Sequence, residues 1–257
     1  MAIPDFEYAI ETDGLTKDFR NLRAVNTLNL RVPRGCFYGF LGPNGAGKST
    51  TIKMLTGLLA PSAGRIRLLG MDFAADALEV KRRVGVVPEE LCLFENLTGR
   101  EYLIFIGRMY GLEQDLVESR TEELFTLLNL DAEDSRIAEY SHGMKKKVAL
   151  SAALIHDPQL LFLDEPFEGI DAITSRVIRE TLSRMTTRGV TIFVTSHILE
   201  IVEKLCSRVG IISKGILIAE GSMDELSAGG SLESAFIAAV SGPETETPRL
   251  SWLDDPA

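Results

Sequence analysis

Short apolar or alternating runs open the chain. Ala9–Leu15, Leu28–Val32 and Cys36–Leu41, each broken by turn residues, predict strands. The last of these runs straight into Gly42. Beyond it, Ile52, Leu55 and Leu59 recur on one face, so Ser49–Leu59 predicts a helix that Pro61 and Gly64 close. Within residues 97–156 the texture changes to helical patterns at Arg100–Tyr110, Leu116–Leu128 and Met144–Ile155, an inserted helical block. From Leu160 the period switches back. Leu160–Leu163, Val190–Thr195 and Val209–Ile212 read as strands, with helices near Ser175–Thr186 and from Ile198. Such alternation implies an α/β fold with a parallel sheet and right-handed crossovers. Ser241–Ala257, rich in Pro, Glu, Thr and Asp and poor in apolar residues, is expected to be a mobile tail.

Composition narrows the class. The 257 residues, 45% hydrophobic and 25% charged, fit one compact domain with a subdomain in water. The longest apolar runs, such as Leu103–Gly107, fall far short of the roughly 18 residues of a spanning helix. Met1–Thr12 carries no basic segment followed by an apolar core, so no secretory leader is expected and cytoplasmic residence is the default. Cys36, Cys92 and Cys206 lie far apart, without metal-ligand spacing, and read as reduced thiols. A net charge of −10 opposes binding to a phosphate backbone, so no nucleic acid is expected. The one cationic triplet, Lys145–Lys147, reads as a solvated helix face.

The candidate chemistry sits on Gly42-Pro43-Asn44-Gly45-Ala46-Gly47-Lys48-Ser49-Thr50, which matches the Walker A phosphate loop. Glycines let the backbone wrap an anion with no Cβ in the way, and the following helix N-terminus favours negative charge. Lys48 would reach the β and γ groups of ATP, and Ser49 would offer its hydroxyl to Mg²⁺. On the order of one chain in a hundred of this length would match the bare pattern by accident. Leu160-Leu161-Phe162-Leu163-Asp164-Glu165 strengthens it: an apolar strand carries Asp164 to the end where open α/β sheets bind ligands. Asp164 can complete the Mg²⁺ shell, and Glu165, one residue on, is placed to orient a water attacking the γ-phosphate.

Tyr140-Ser141-His142-Gly143-Met144 stands before the helix that leads into the Asp164 strand, with Ser141 a good N-cap. Together with the phosphate loop and the acidic strand, it resembles the ATP-binding cassette (ABC) ATPases from about Ala9 to Leu226. Ser141 and Gly143 match the family's Leu-Ser-Gly-Gly-Gln signature, whereas Tyr140, His142 and Met144 depart from it. The resemblance implies a P-loop (RecA-like) core with an N-terminal antiparallel β subdomain. It also implies an ATP-binding domain over residues 1–228, a helical subdomain at about 92–156 and a partly disordered extension over 229–257. In the family, the signature contacts the γ-phosphate held by a second copy, which implies a head-to-tail dimer of identical or related ATPase subunits. Phe19 occupies the place of the adenine-stacking ring, and His197 that of the switch histidine. Asp171, in Gly169-Ile170-Asp171, lies in the loop linking the two sites, with Glu168 where serine is common. Glu89 stands where most of the family has a glutamine near Mg²⁺ and the attacking water.

That substitution is similar to the ABC-2 type exporters, whose permease is a separate integral membrane protein docked by the helical insertion around Leu91–Tyr110. The expected function is the ATP-hydrolysing subunit of such a transporter, on the cytoplasmic face of the membrane. The alternatives are a soluble non-transport ABC ATPase acting on ribosomes or nucleic acid, and a small-molecule kinase or GTPase. The first usually carries paired cassettes, a coiled-coil insertion or zinc motifs, none visible here; the second would lack the Ser141 segment.

Overall fold

The computed structural model describes residues 6–132 and 134–241. In chain order, β1 (Tyr8–Phe19), β2 (Leu22–Leu28) and β3 (Arg31–Pro33) precede β4 (Phe37–Leu41) and α1 (Lys48–Leu55). β5 (Ala63–Leu68), β6 (Met71–Asp72), α2 (Ala77–Lys81) and β7 (Val84–Val87) follow, then the helices α3 (Gly99–Met109), α4 (Gln114–Leu127) and α5 (His142–Leu154). The chain continues with β8 (Leu160–Asp164), α6 (Ala172–Thr187), β9 (Thr191–Thr195) and α7 (Leu199–Leu205). Last come β10 (Arg208–Ser213), β11 (Ile216–Ser222), α8 (Met223–Ser227) and α9 (Leu232–Ser241).

Two sheets result. β1, β2, β3, β5 and β6 pair antiparallel, and a larger sheet runs in the order β11-β10-β4-β9-β8-β7. From β10 to β7 all neighbours are parallel, as strand–helix alternation predicts, but β11 is antiparallel to β10. The cause is local: the link is Lys214-Gly215 alone, at φ +50° and +79°. Two successive left-handed residues make the tight turn whose twist suits a hairpin.

The N-terminal strands differ from the sequence expectation. β1 continues to Phe19, and the anticipated strand Leu28–Val32 is split between β2 and β3. Its alternation is real, since Leu28, Leu30 and Val32 are all buried. The backbone there pairs with a side chain instead: Thr12 Oγ1 donates to the Leu28 carbonyl (2.9 Å) and accepts from Leu30 N–H (2.8 Å). Helix α1 stops at Leu55, before the expected Leu59, because Gly57 turns left-handed at φ +72° just after the Thr56 cap. Leu59 still packs on the core from outside the helix.

Each central strand of the large sheet is buried along its whole length, so both of its faces are apolar. Tyr38, Phe40, Leu160, Phe162 and Phe193 face α1 and the antiparallel sheet. Leu41, Leu161, Leu163, Ile192 and Val194 face α6, α7 and α9. The helical block has its own core, including Leu103, Val117, Phe125, Tyr140 and Val148. Its first helix, α3, starts at a capping box of Thr98 and Glu101. Helix α9, within the extension that the resemblance implies from residue 229, packs on the large sheet through the fully buried Leu232. The expected mobile tail beyond Ser241 lies outside the described residues. Among the described residues, no helix is long and apolar enough to cross a membrane.

Phe193 is the centre of the sheet's aromatic packing. Its ring lies 5.5 Å from that of Tyr38, 5.2 Å from Phe40 and 5.6 Å from Phe162. Phe193→Ala is expected to lower the unfolding free energy by about 3–5 kcal/mol, read from the denaturant midpoint.

Candidate functional site

The phosphate loop joins β4 to α1, and its glycines are dictated by close approach. A Cβ on Gly42 would fall 2.3 Å from the Ile212 carbonyl oxygen. Gly47 has φ +110°, and a Cβ there would lie 2.6 Å from the Ala24 oxygen. Ala46 N–H donates to the Pro43 carbonyl (3.1 Å), and the Ala46 carbonyl accepts from Gly215 N–H (2.9 Å) in the β10–β11 turn. The Lys48 ammonium curls back to the carbonyls of Gly42 (2.7 Å) and Pro43 (3.3 Å). At the N-terminus of α1 there is no side-chain cap and no acid in the first turn, so its amides and dipole are open to an anion.

Facing the loop are the ends of β7, β8 and β9. Asp164, the last residue of β8, is opposite Thr195, the last of β9. Thr195 Oγ1 donates to Asp164 Oδ1 and accepts from Glu165 N–H (3.2 Å). Burial pushes the Asp164 carboxyl above its ordinary pKa; the Thr195 hydrogen bond opposes this, and Glu89 adds to it. Glu165 takes φ +48°, a conformation that strains a residue with a side chain by on the order of 1 kcal/mol. Its Oε2 meets both His197 Nδ1 (3.0 Å) and His197 N–H (3.3 Å). On the third side, Ser49 Oγ donates to Glu89 Oε2 (3.1 Å), two residues past the end of β7.

These groups line one cavity of about 700 Å³, walled by residues 44–50 with Phe19, Glu89, Asp164, Glu165 and His197. Gly42 and Pro43 lie beneath it, reaching it through the Lys48 contacts. Ser141, Gly143 and Asp171 are not brought to this cavity. They are tied into a neighbouring structure. Ser141 caps α5 by accepting from Met144 N–H (3.2 Å), and Asp171 caps α6 by accepting from Thr174 N–H (2.9 Å). The segments touch where a Cβ on Gly143 would be 2.6 Å from the Gly169 oxygen.

Nothing in the sequence points to Leu22 and Ala24, which also line the cavity, or to Thr195, which supports the acids from behind; Glu168, noted only as standing where serine is common, lines it too. No signal in the sequence marks Thr195, because only the pairing of β9 with β8 sets it opposite Asp164. The solvated face expected for the lysine triplet is overturned: Lys146 and Lys147 are buried. Each cation meets an acid from a separate segment: Lys145–Glu95 at 2.6 Å, Lys146–Glu168 at 4.0 Å and Lys147–Asp171 at 3.8 Å. Thr195→Val keeps the shape but takes a donor from the buried Asp164 carboxylate, while Glu165 N–H keeps the Thr195 carbonyl (3.3 Å). It should cost about 1–3 kcal/mol of stability in thermal or denaturant unfolding.

The chain matches the ABC transporter family over residues 25–168. It is 40% identical, over 219 residues, to a daunorubicin/doxorubicin resistance ATP-binding protein of Streptomyces peucetius, covering 85% of this chain and 66% of that one. It is 37% identical, over 222 residues, to a bacitracin transport ATP-binding protein of Enterococcus faecalis, covering 86% and 71%. A solved ATP-binding subunit of an ABC transporter superposes with a TM-score of 0.85 at 30% identity, covering 90% of this chain and 99% of that one. With a phosphate loop, paired acids and a signature-like segment in one fold, the chain belongs to the ABC transporter family as an ATP-binding cassette.

Proposed function

We propose that this chain binds MgATP over Gly42–Thr50 and hydrolyses it to power export through a separate integral membrane permease. The observation that carries this is convergence: Lys48, Ser49, Asp164, Glu165 and His197 line one cavity of about 700 Å³. That volume suits a nucleotide-sized ligand. Loop amides and Lys48 hold the phosphates, while Phe19, 43% exposed at the rim, offers its ring to adenine. Glu165 orients the attacking water and takes up its proton, and His197 fixes the Glu165 carboxylate in place.

Ser49, Glu89 and Asp164 would hold the magnesium; all offer oxygen, which fits a hard cation. The closeness of Glu89 and Asp164 supports this, since a cation between them relieves their repulsion. Bound there, the ion would neutralise charge developing on the transferred phosphoryl group.

Ser141, Gly143 and Asp171 do not line this chain's own cavity, which fits a head-to-tail dimer in which they complete the site of a second copy. Residues 1–228 form the ATP-binding domain in this reading, and the block at about 92–156 docks the permease. The chain then sits on the cytoplasmic face of the membrane without nucleic acid. The names of the drug-resistance and bacitracin-transport relatives support an exporter.

Lys48→Ala is expected to abolish magnesium-dependent ATP uptake in equilibrium dialysis, and normal uptake would remove the phosphate-loop assignment. Glu165→Gln should keep ATP binding, slow hydrolysis at least about a hundredfold and accumulate dimer on a sizing column. Purification from gently solubilised membranes should bring down an integral membrane protein; ribosomes or DNA in its place would overturn the transporter reading.

A further inference from the structure

Four carboxylates, Glu89, Asp164, Glu165 and Glu168, line the one cavity. Like charges lining one space repel, so their arrangement depends on where cations stand. Lys48 is turned toward the carbonyls of Gly42 and Pro43. A second cation approaches from behind, on the helix that Ser141 caps. Lys146 is 1% exposed, its Nζ has no hydrogen-bond partner, and Glu168 Oε2 stands 4.0 Å away.

A buried ammonium without a hydrogen bond is a poor source of stability. Isosteric apolar replacements of buried ions are often neutral or stabilising. Geometry points to another use. Burial pushes the Lys146 pKa down, while Glu168 first, then Glu165, Asp164 and Glu89, push it up, so all four acids bear on it. Glu168 is linked to the water-orienting residue by a tight turn in which its N–H donates to the Glu165 carbonyl (3.4 Å). Glu165 opens this turn at φ +48°.

We propose that Lys146 is a positioning residue for hydrolysis. It draws Glu168 toward α5 and, through the 165–168 turn, sets the Glu165 carboxylate in its working place. This deepens the ATPase reading above and rests on it. The pair also ties the signature-like helix to the catalytic turn inside one chain, so a shift of α5 would be felt at Glu165.

The test compares the full chain with Lys146→Met, Glu168→Gln and the double variant. ATP affinity, kcat and melting temperature are measured for each. Lys146→Met is expected to lower kcat about tenfold or more. Its ATP affinity should stay within about twofold and its melting temperature should not fall. Glu168→Gln, altered at a half-exposed side chain, should fold and lower kcat in the same way. The double variant should lose no more than Lys146→Met alone, the non-additivity expected of residues acting as one unit. Additive losses would overturn the proposal, as would an unchanged kcat in either single variant, or losses that only track melting temperature. A wild-type chain that hydrolyses no MgATP would instead fell the ATPase reading itself.

Discussion

The structure is organised around negative charge set against open backbone amides. β7, β8 and β9 deliver Glu89, Asp164 and His197 to one edge of the parallel sheet, where β4 delivers the glycine loop and the uncapped start of α1. Parallel strands all end at the same edge, so residues far apart in the chain reach one cavity without any long loop. Neither half of this arrangement is comfortable alone. Burial and the nearby Glu89 push the Asp164 pKa up, and the first turn of α1 has no side-chain cap, so an anionic nucleotide with a cation satisfies both.

Much of this was legible in the sequence, because the signals were chemical and local. A glycine loop feeding a helix and an apolar strand ending in two acids mark themselves by residue type and spacing, and Asn44–Thr50, Asp164 and Glu165 duly line one cavity. What escaped depended on partners supplied by the fold. Thr195 is an ordinary strand residue until β9 is placed beside β8. The lysine triplet looked solvated because each acid it meets comes from a distant segment. The split of Leu28–Val32 was invisible because one threonine hydroxyl stands in for ladder hydrogen bonds.

Helix α5 joins the two halves of the molecule. One side packs in the core of the helical block through Val148, and another meets the large sheet through Ala149 and Leu150. Its first turns hold the acid-paired lysines and the contact with Gly169. A helix so placed cannot tilt against one half without disturbing the other, since packed interiors transmit displacement instead of absorbing it.

The Lys214-Gly215 hairpin turn bears on evolution by insertion. Surface turns between edge strands are ordinarily where chains accept extra residues at little cost. This one is spliced between two other parts: Gly215 N–H donates to the Ala46 carbonyl, and the Gly215 carbonyl accepts from Asn26 N–H (2.8 Å). A Cβ at Gly215 would come within 2.8 Å of the Ala24 oxygen. The outermost hairpin thus serves as a splint for the nucleotide loop, and lengthening it by a single residue would slacken a cavity whose wall it does not form.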